Sequence, residues 1–215
     1  LKPQVIAISG SSGMIGRSLI SFLTAAGHTV RRMVRGKKLR DTDLSWDPMS
    51  GIQDDFSDVT MMVHLAGETI NSTVRWTKQK RQRIYDSRVL VTQTLVNQLN
   101  STSHNVSTLV VASGTSFYGS SDDKCDESSP AGDSFLATVA NDWESSCDLI
   151  RDKVRVCHAR FGMVLHPSGG VIQRLAPLMS LGALGPIGSG HQFVSWVALD
   201  DALRTAGNRS SSAIA

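Results

Sequence analysis

Val5-Ile6-Ala7-Ile8-Ser9-Gly10-Ser11-Ser12-Gly13-Met14-Ile15-Gly16 leads from a short apolar segment straight into three regularly spaced glycines. The apolar run 5–9 is typical of a strand that is buried on both faces, as strands of a parallel sheet are. Apolar residues then recur at helical spacing from Ile15 to Ala26, and Gly27 ends this predicted helix. A strand, a Gly-x-x-Gly-x-x-Gly turn and a helix in this order predict a phosphate-binding turn for a dinucleotide.

Each glycine has its own role in such a turn. Gly10 allows the chain to turn tightly, Gly13 has no side chain to block a pyrophosphate, and Gly16 lets the helix pack closely. The helix N-terminus offers free N–H groups and a positive dipole end to the phosphates. The predicted cofactor-binding residues of the turn are Gly10, Ser11, Ser12, Gly13, Met14, Ile15 and Gly16. The alternative is a plain tight turn that holds no ligand.

The rest of the chain alternates strand-like and helix-like segments. We predict strands at 29–34, 61–65, 108–112 and 154–161, and long helical segments at 77–99 and 134–150. This alternation indicates βαβ units with right-handed crossovers, and therefore an α/β fold with a doubly wound parallel sheet of the Rossmann type. Glycines become frequent after Phe161. We therefore expect an NAD(P)-binding domain over 1–165 and a partial C-terminal, substrate-side (substrate-binding) subdomain over 166–215.

The end of the second strand favours one cofactor. NAD sites usually carry an acidic residue about 20 residues past the glycines, where it binds the ribose 2′-hydroxyl. Here Val30 to Lys38 contain five basic residues, and no acid occurs before Asp41. A guanidinium can grip a 2′-phosphate through two parallel hydrogen bonds. We therefore predict NADP(H), with Arg35 as the first candidate ligand and Arg31 and Arg32 as helpers; the alternative is that these are ordinary surface charges.

Composition excludes several other classes of function. The chain has 215 residues and a net charge of +3, and its basic residues form no stripe interleaved with aromatics, so we expect no nucleic-acid partner. No apolar run is long enough to cross a membrane. The three cysteines and six histidines lack metal-ligand spacing, so we expect no metal site. The odd cysteine count fits an intracellular, reducing compartment, either the cytoplasm or an organelle matrix or stroma.

Short motifs along nearly the whole chain carry a family resemblance. They are Gly10 to Gly16, Trp46-Asp47-Pro48, Val63 to Glu68, Arg75-Trp76, Ser87-Arg88-Val89, Ser116-Phe117-Tyr118-Gly119, Asp126-Glu127 with Pro130, Trp143-Glu144, Arg160 to Leu165, and Gly185 to Phe193. By these residues the chain resembles the extended short-chain dehydrogenase/reductase superfamily. More narrowly, it resembles the epimerase-family group that is often labelled sugar-nucleotide epimerase or, in bacteria, cell-division inhibitor.

The resemblance implies further site residues. Ala66 and Gly67 follow the family's fourth strand and should line the cofactor, and Arg88 should lie on the next helix near it. The cofactor-binding residues implied outside the turn and Arg35 are Leu65, Ala66, Gly67, Arg88, Ala112, Ser113 and Gly162. Gln192 and Trp196 should face the substrate, for which the family offers a nucleotide sugar.

The chain departs from the superfamily at the catalytic pair. Active members use Tyr-x-x-x-Lys on the helix after the fifth strand. Counting back from Glu144, these places fall at Leu136 and Ala140, and neither side chain can transfer a proton. The usual Ser falls at Gly114. Catalytic residues are therefore unknown, with Ser113, Thr115 and Tyr118 as weak candidates. Family members also continue well past Asp201, so we expect either that the chain is a fragment of a longer protein or that its substrate cleft is incomplete.

Two functions remain open from the sequence. The first is an NADP(H)-dependent epimerase or oxidoreductase that acts on a nucleotide sugar and manages the proton without the usual Tyr. The second is a catalytically inactive NADP(H)-binding scaffold or redox-sensing subunit of a larger assembly. The sequence gives no oligomeric state and no assembly partner.

Overall fold

The computed structural model describes residues 2–70, 76–120, 123–167, 169–183, 185 and 189–208. Its strands are β1 (Val5–Ser9), β2 (Thr29–Val34), β3 (Leu44–Asp47), β4 (Gly51–Ile52), β5 (Met61–His64), β6 (Thr108–Gly114), β7 (Arg155–Phe161), β8 (Met163–Leu165) and β9 (Trp196–Ala198). Its α-helices are α1 (Met14–Ala25), α2 (Lys78–Asp86), α3 (Val89–Ser101), α4 (Phe135–Ser145), α5 (Gly170–Ser180) and α6 (Leu199–Asn208). Short 3₁₀ turns span Thr115–Tyr118 and Asp148–Ile150.

Seven strands form one sheet in the order β4-β3-β2-β1-β5-β6-β7. All neighbouring pairs are parallel except β3 and β4, which pair antiparallel. The predicted doubly wound α/β fold is therefore confirmed. The strand order reverses between β1 and β5, and ligands of such sheets bind outside the carboxyl ends of the strands at this switch point.

The buried strands explain the two cores. Alternate side chains of β1 enter opposite faces of the sheet, so Ala7 packs with α3 and α4, whereas Ile6 and Ile8 pack with α1 and α6. All three residues are almost fully buried. The parallel register sets Ser9 beside His64 and His64 beside Val111, which brings the residues that follow these positions into one row.

Two predicted helices were too long, and four short strands, β3, β4, β8 and β9, were not predicted. The segment 77–99 is two helices, because the chain breaks at Ser87 and Arg88. The segment 134–150 ends as an α-helix at Ser145 and continues as the second 3₁₀ turn. β3 and β4 are only four and two residues long, which leaves too few side chains for a periodic pattern.

The C-terminal segment combines exposed and buried parts. β8 and β9 form a separate two-stranded parallel sheet, and α5 buries none of its residues. α6 packs against α1, and its Leu199, Leu203 and Ala206 join the core around Leu19 and Leu23. Residues 166–208 thus include one helix that belongs to the core of the main sheet. Within the described ranges, no helix has the length and apolar character required to cross a membrane.

Candidate dinucleotide-binding site

The glycine turn is shaped by two close backbone approaches. Gly10 adopts a left-handed φ of 66°, and a Cβ there would lie 2.7 Å from the carbonyl carbon of Leu65. A Cβ on Gly16 would lie 2.3 Å from the carbonyl oxygen of Gly10, so α1 sits directly against the turn. A Cβ on Gly13 would meet only that same oxygen, at 3.3 Å. Gly10 and Gly16 are therefore required by packing, whereas Gly13 is exposed and keeps the outer side of the turn open.

The start of α1 offers unpaired donors. Gly13 caps the helix without a side-chain bond, and the first turn contains no acidic residue. The first internal bond closes from the Arg17 N–H to the Gly13 carbonyl. The N–H groups of Met14, Ile15 and Gly16 therefore have no acceptor within the helix, and the positive dipole end lies at the turn. Such a helix start suits the phosphates of a dinucleotide.

Ser9 fixes the loop after β5 beside this turn. Its Oγ accepts hydrogen bonds from the N–H groups of Leu65, at 3.1 Å, and Ala66, at 3.3 Å. The same Oγ lies 2.7 Å from Nδ1 of His64. Since both lone pairs of Oγ are used, its proton is donated to Nδ1, which places the imidazole proton on Nε2. Burial lowers the pKa of His64 to about 4, so the ring is neutral.

Ser87 and Arg88 bind the backbone of Glu68, in the loop that follows β5. The Glu68 N–H donates to Ser87 Oγ at 2.9 Å, and Arg88 Nη1 donates to the Glu68 carbonyl at 3.0 Å. The guanidinium also lies 5.3 Å from the ring centroid of Trp143. A Cβ on Gly67 would lie 3.3 Å from Arg88 Cζ, so this glycine leaves room for the guanidinium. Burial lowers the pKa of Arg88. Arg88 thus supports the predicted cofactor-lining loop from the helix break.

The basic residues at the end of β2 fall into two sets. Arg31 binds Asp58, Arg32 binds Asp43, and Lys38 binds Asp54. The side chains of Arg35, Lys37 and Arg40 are exposed and have no protein partner within the described part of the chain. Arg31 and Arg32, the predicted helpers, would have to break these ion pairs to bind a phosphate. The Arg35 side chain could bind a phosphate without breaking an ion pair.

The two positions expected for the catalytic pair carry apolar side chains. Leu136 and Ala140 both lie on α4, one turn apart, with Leu136 half-buried and Ala140 buried. No residue of α4 is a Tyr or a Lys. Nothing on this helix can therefore supply the phenol and ammonium that active superfamily members use.

Two of the three weak catalytic candidates belong to a buried network. Ser113 Oγ donates to Glu144 Oε1 at 2.7 Å. Arg160 donates to both oxygens of Glu144, at 2.9 and 2.8 Å, and its Nη1 donates to the Tyr118 hydroxyl at 2.9 Å. Arg160 also stacks on Phe117, with 3.5 Å from Cζ to the ring centroid. Hydrogen bonds thus engage Ser113 and Tyr118 in one network that joins β6, β7 and α4. Thr115 begins the first 3₁₀ turn.

Ionisation of this network follows from its contacts. Burial opposes the charge on Glu144, but the bonds from Arg160 and Ser113 outweigh it and hold the pKa of Glu144 below its ordinary value. The bond to Glu144 raises the pKa of Arg160. The pair is therefore a permanent ion pair near neutral pH, which favours a structural role.

Leu65 and Ala112 lie in line with the glycine turn at the carboxyl edge of the sheet, and Gly162 directly follows β7. Because Ser9, His64 and Val111 are neighbours in register, Gly10, Leu65 and Ala112 follow them in one row. A Cβ on Gly162 would lie 2.8 Å from Ser195, so chain packing alone accounts for this glycine. Trp196, on β9, and Gln192 are exposed. Arg75 and residues 186–188, which belong to quoted motifs, lie outside the described residues.

Sequence reasoning missed Ser9, His64, Asp43 and the Glu144–Arg160 pair. Ser9 and His64 each end an apolar strand, which was the available signal. The others pair across long separations, which no local pattern reveals. The described residues contain no group of three or more His, Cys, Asp or Glu side chains that could hold a metal ion.

Fold and site together define a Rossmann-type α/β protein of the extended short-chain dehydrogenase/reductase kind. The family model for the NAD dependent epimerase/dehydratase family matches residues 6–139, and the chain belongs to this family. The resemblance read from the motifs is thereby confirmed.

Individual relatives extend the comparison. An epimerase family protein of Mycobacterium bovis is 40% identical over 204 residues, which cover 93% of this chain and 67% of that protein. The crystal structure of the nucleoside-diphosphate sugar epimerase from Corynebacterium glutamicum matches at 34% identity and a TM-score of 0.83, covering 95% of this chain and 43% of that chain. The crystal structure of human epimerase family protein SDR39U1 (isoform 2) with NADPH matches at 31% identity and a TM-score of 0.85, covering 96% and 68%. The chain thus spans less than half of the Corynebacterium protein.

Proposed function

We propose that this chain is the NADP(H)-binding part of an epimerase-family protein, with the dinucleotide seated on the glycine turn. The observation that carries the cofactor choice is the charge at the end of β2. Arg35, Lys37 and Arg40 are unpaired within the described residues, while Asp43 is buried against Arg32. A carboxylate in contact with a 2′-phosphate would repel it, whereas an unpaired guanidinium can bind it through two hydrogen bonds.

The other groups fit the remaining parts of such a cofactor. The free N–H groups at the start of α1 would bind the pyrophosphate, and the loop 65–67 would line the dinucleotide with small side chains and backbone. The human relative, whose structure was determined with NADPH, supports the same choice. When bound, a nicotinamide cofactor supplies hydride transfer to and from a substrate carbon.

A nucleotide sugar is the substrate class that we propose. The support is the likeness to the Corynebacterium nucleoside-diphosphate sugar epimerase, together with the exposed Gln192 and Trp196 on the side implied for substrate. Since Leu136 and Ala140 cannot move a proton, another group would have to do so. Thr115 is the one weak candidate that lies outside the Glu144 network.

A specific observation favours a second function, a cofactor-loaded scaffold or redox-sensing subunit without catalysis. Ser113 and Tyr118 are engaged by Glu144 and Arg160, and the pair position on α4 is apolar. NADP⁺ incubated with UDP-glucose would separate the two functions, because an enzyme would take a hydride from a sugar carbinol carbon onto the nicotinamide while the hydroxyl loses its proton and becomes a ketone. Formation of NADPH or of an epimerised UDP-sugar supports the enzyme, and NADP⁺ binding without either supports the scaffold.

Calorimetric titration with NADPH and with NADH tests the cofactor proposal. We expect the lower Kd for NADPH. Equal or tighter binding of NADH, or no binding of either, would overturn it.

A further inference from the structure

Asp43 is the most tightly bound carboxylate in the segment that follows β2. Its side chain is fully buried, and its two oxygens accept from Arg32 Nε at 2.8 Å and from Arg32 Nη2 at 2.5 Å. One oxygen also accepts the backbone N–H groups of Leu39 and Arg40, each at 3.0 Å. The Asp43 N–H closes the turn by donating to the Arg40 carbonyl at 3.0 Å. The segment 39–43 is thus folded around one carboxylate.

This turn carries part of the unpaired positive charge. Arg40 receives its backbone position directly from Asp43, and Lys37 lies just before the turn, after Gly36 with its left-handed φ of 83°. Arg35 precedes Gly36 at the end of β2. Without the Asp43 carboxylate, the backbone N–H groups of Leu39 and Arg40 would lose this acceptor. The backbone that carries Lys37 and Arg40 after the end of β2 would then be less restricted.

We propose that Asp43 is a positioning residue for cofactor choice, and that it sets the preference for NADP(H) over NAD(H) by holding Lys37 and Arg40 beside Arg35. The inference rests on the proposed function, since it takes NADP(H) as the ligand. Asp43 itself does not touch the 2′-phosphate, because its carboxylate is buried. An acidic residue thereby favours a phosphate-bearing ligand.

An electrostatic effect of Asp43 and a positioning effect of Asp43 predict opposite changes in NADPH binding for Asp43→Asn. Asp43→Asn removes one negative charge and releases Arg32, so electrostatics alone predicts tighter NADPH binding. If position matters, the amide nitrogen of Asn would confront a donor, either Arg32 or the backbone N–H groups, and the turn would loosen. The ratio Kd(NADH)/Kd(NADPH) would then fall. Loss of part of a charged phosphate contact corresponds to about a tenfold fall in this ratio.

Three variants separate the two explanations. Asp43→Asn changes charge and position, Asp43→Glu changes position alone, and Asp41→Asn changes charge alone at an exposed neighbour that has no partner within the described residues. We expect the ratio to fall about tenfold in both Asp43 variants and to stay within about twofold in Asp41→Asn. Because the readout is a ratio of two dissociation constants within one variant, a uniform loss of folded protein cancels.

Salt dependence gives a second readout. The wild-type Kd for NADPH should rise more steeply with ionic strength than that for NADH, and the Asp43 variants should lose most of this difference. If the Asp43 variants do not fold, Lys37→Ala with Arg40→Ala decides, because both side chains are exposed. That double variant should also lower the ratio.

The outcomes are separable from failure of the proposed function. A wild-type chain that binds neither cofactor, or prefers NADH, refutes the proposed cofactor. A wild-type preference for NADPH that persists in both Asp43 variants, increases in Asp43→Asn, or persists in the double variant overturns the role of Asp43 alone.

Discussion

Ser9 Oγ lies 2.7 Å from Nδ1 of His64, and this contact joins the carboxyl ends of β1 and β5 at the switch point of the sheet. The same oxygen holds the N–H groups of Leu65 and Ala66. One hydroxyl therefore satisfies three buried or half-buried polar groups and fixes the loop that borders the glycine turn.

Replacing Ser9 by Ala should destabilise the fold. The change leaves Nδ1 of His64 and two backbone N–H groups without this partner, and an unsatisfied buried group costs about 1–3 kcal/mol. Urea unfolding measures the free energy of unfolding. Ser21→Ala is the control, because Ser21 makes only a long 3.4 Å bond on the exposed face of α1. An equal effect of the two substitutions would contradict this role of Ser9.

Stability should fall as the pH drops from about 6.5 to about 4. Burial lowers the pKa of both His64 and His158 to about 4 from an ordinary value of 6.5. The unfolded chain therefore binds more protons in this window, so their contribution is complete above pH 6.5 and is lost on acidification. For His64 the full loss is about 3 kcal/mol. Urea unfolding at pH 7, 5 and 4 measures it, and His64→Gln should flatten the curve; an unchanged slope in that variant would exclude His64 as a source.

Arg160→Met should destabilise the chain by about 3 kcal/mol, because it leaves the Glu144 carboxylate buried without its guanidinium. The side chains of Arg160 and Glu144 are only 19% and 10% exposed. Arg204→Met is the matched control, since its partner Asp201 and Arg204 itself are both mostly exposed. That surface pair should contribute at most about 1 kcal/mol. Equal losses in thermal or urea unfolding would show that the Glu144 network is not a brace.

Two glycines of the turn should respond differently to alanine. Gly16→Ala forces a Cβ to 2.3 Å from the Gly10 carbonyl oxygen, so it should lower the free energy of unfolding by about 2 kcal/mol or more. Gly13→Ala meets that oxygen at 3.3 Å and keeps an ordinary φ, so stability should change little while NADPH binding weakens. Unfolding and binding are measured on both variants. Normal NADPH affinity in Gly13→Ala would place the pyrophosphate elsewhere.

Elements of the fold could be predicted where a single segment of the sequence contains the residues that determine its structure. The apolar run 5–9 and the three glycines predicted β1, the turn and α1 because burial and turn geometry are local requirements. β3 and β4 gave too short a pattern. At the helix break, Ser87 and Arg88 bond to Glu68, about 20 residues away in sequence, and helical periodicity does not reveal such a contact.

The candidate site likewise combines features that the local sequence predicts with contacts that form only in the folded chain. The sequence predicts a basic segment after β2, but it does not tell which cations are already neutralised. Arg31 pairs 27 residues away and Arg32 pairs 11 residues away, and only the folded chain leaves Arg35 unpaired within the described residues. Ser113, which the resemblance implies as a cofactor residue and which is a weak catalytic candidate, donates to Glu144, 31 residues further on.

Titration of the wild-type chain and Arg35→Ala with NADPH and NADH decides whether Arg35 selects NADP(H) over NAD(H). Arg204→Ala, an exposed arginine on α6, controls for the loss of one positive charge. A lost charged hydrogen-bonded contact is worth about 1.5–3 kcal/mol, so Arg35→Ala should raise the Kd for NADPH roughly 10- to 150-fold and leave that for NADH nearly unchanged. An equal weakening of both cofactors, or no weakening of NADPH, would show that Arg35 does not select the cofactor.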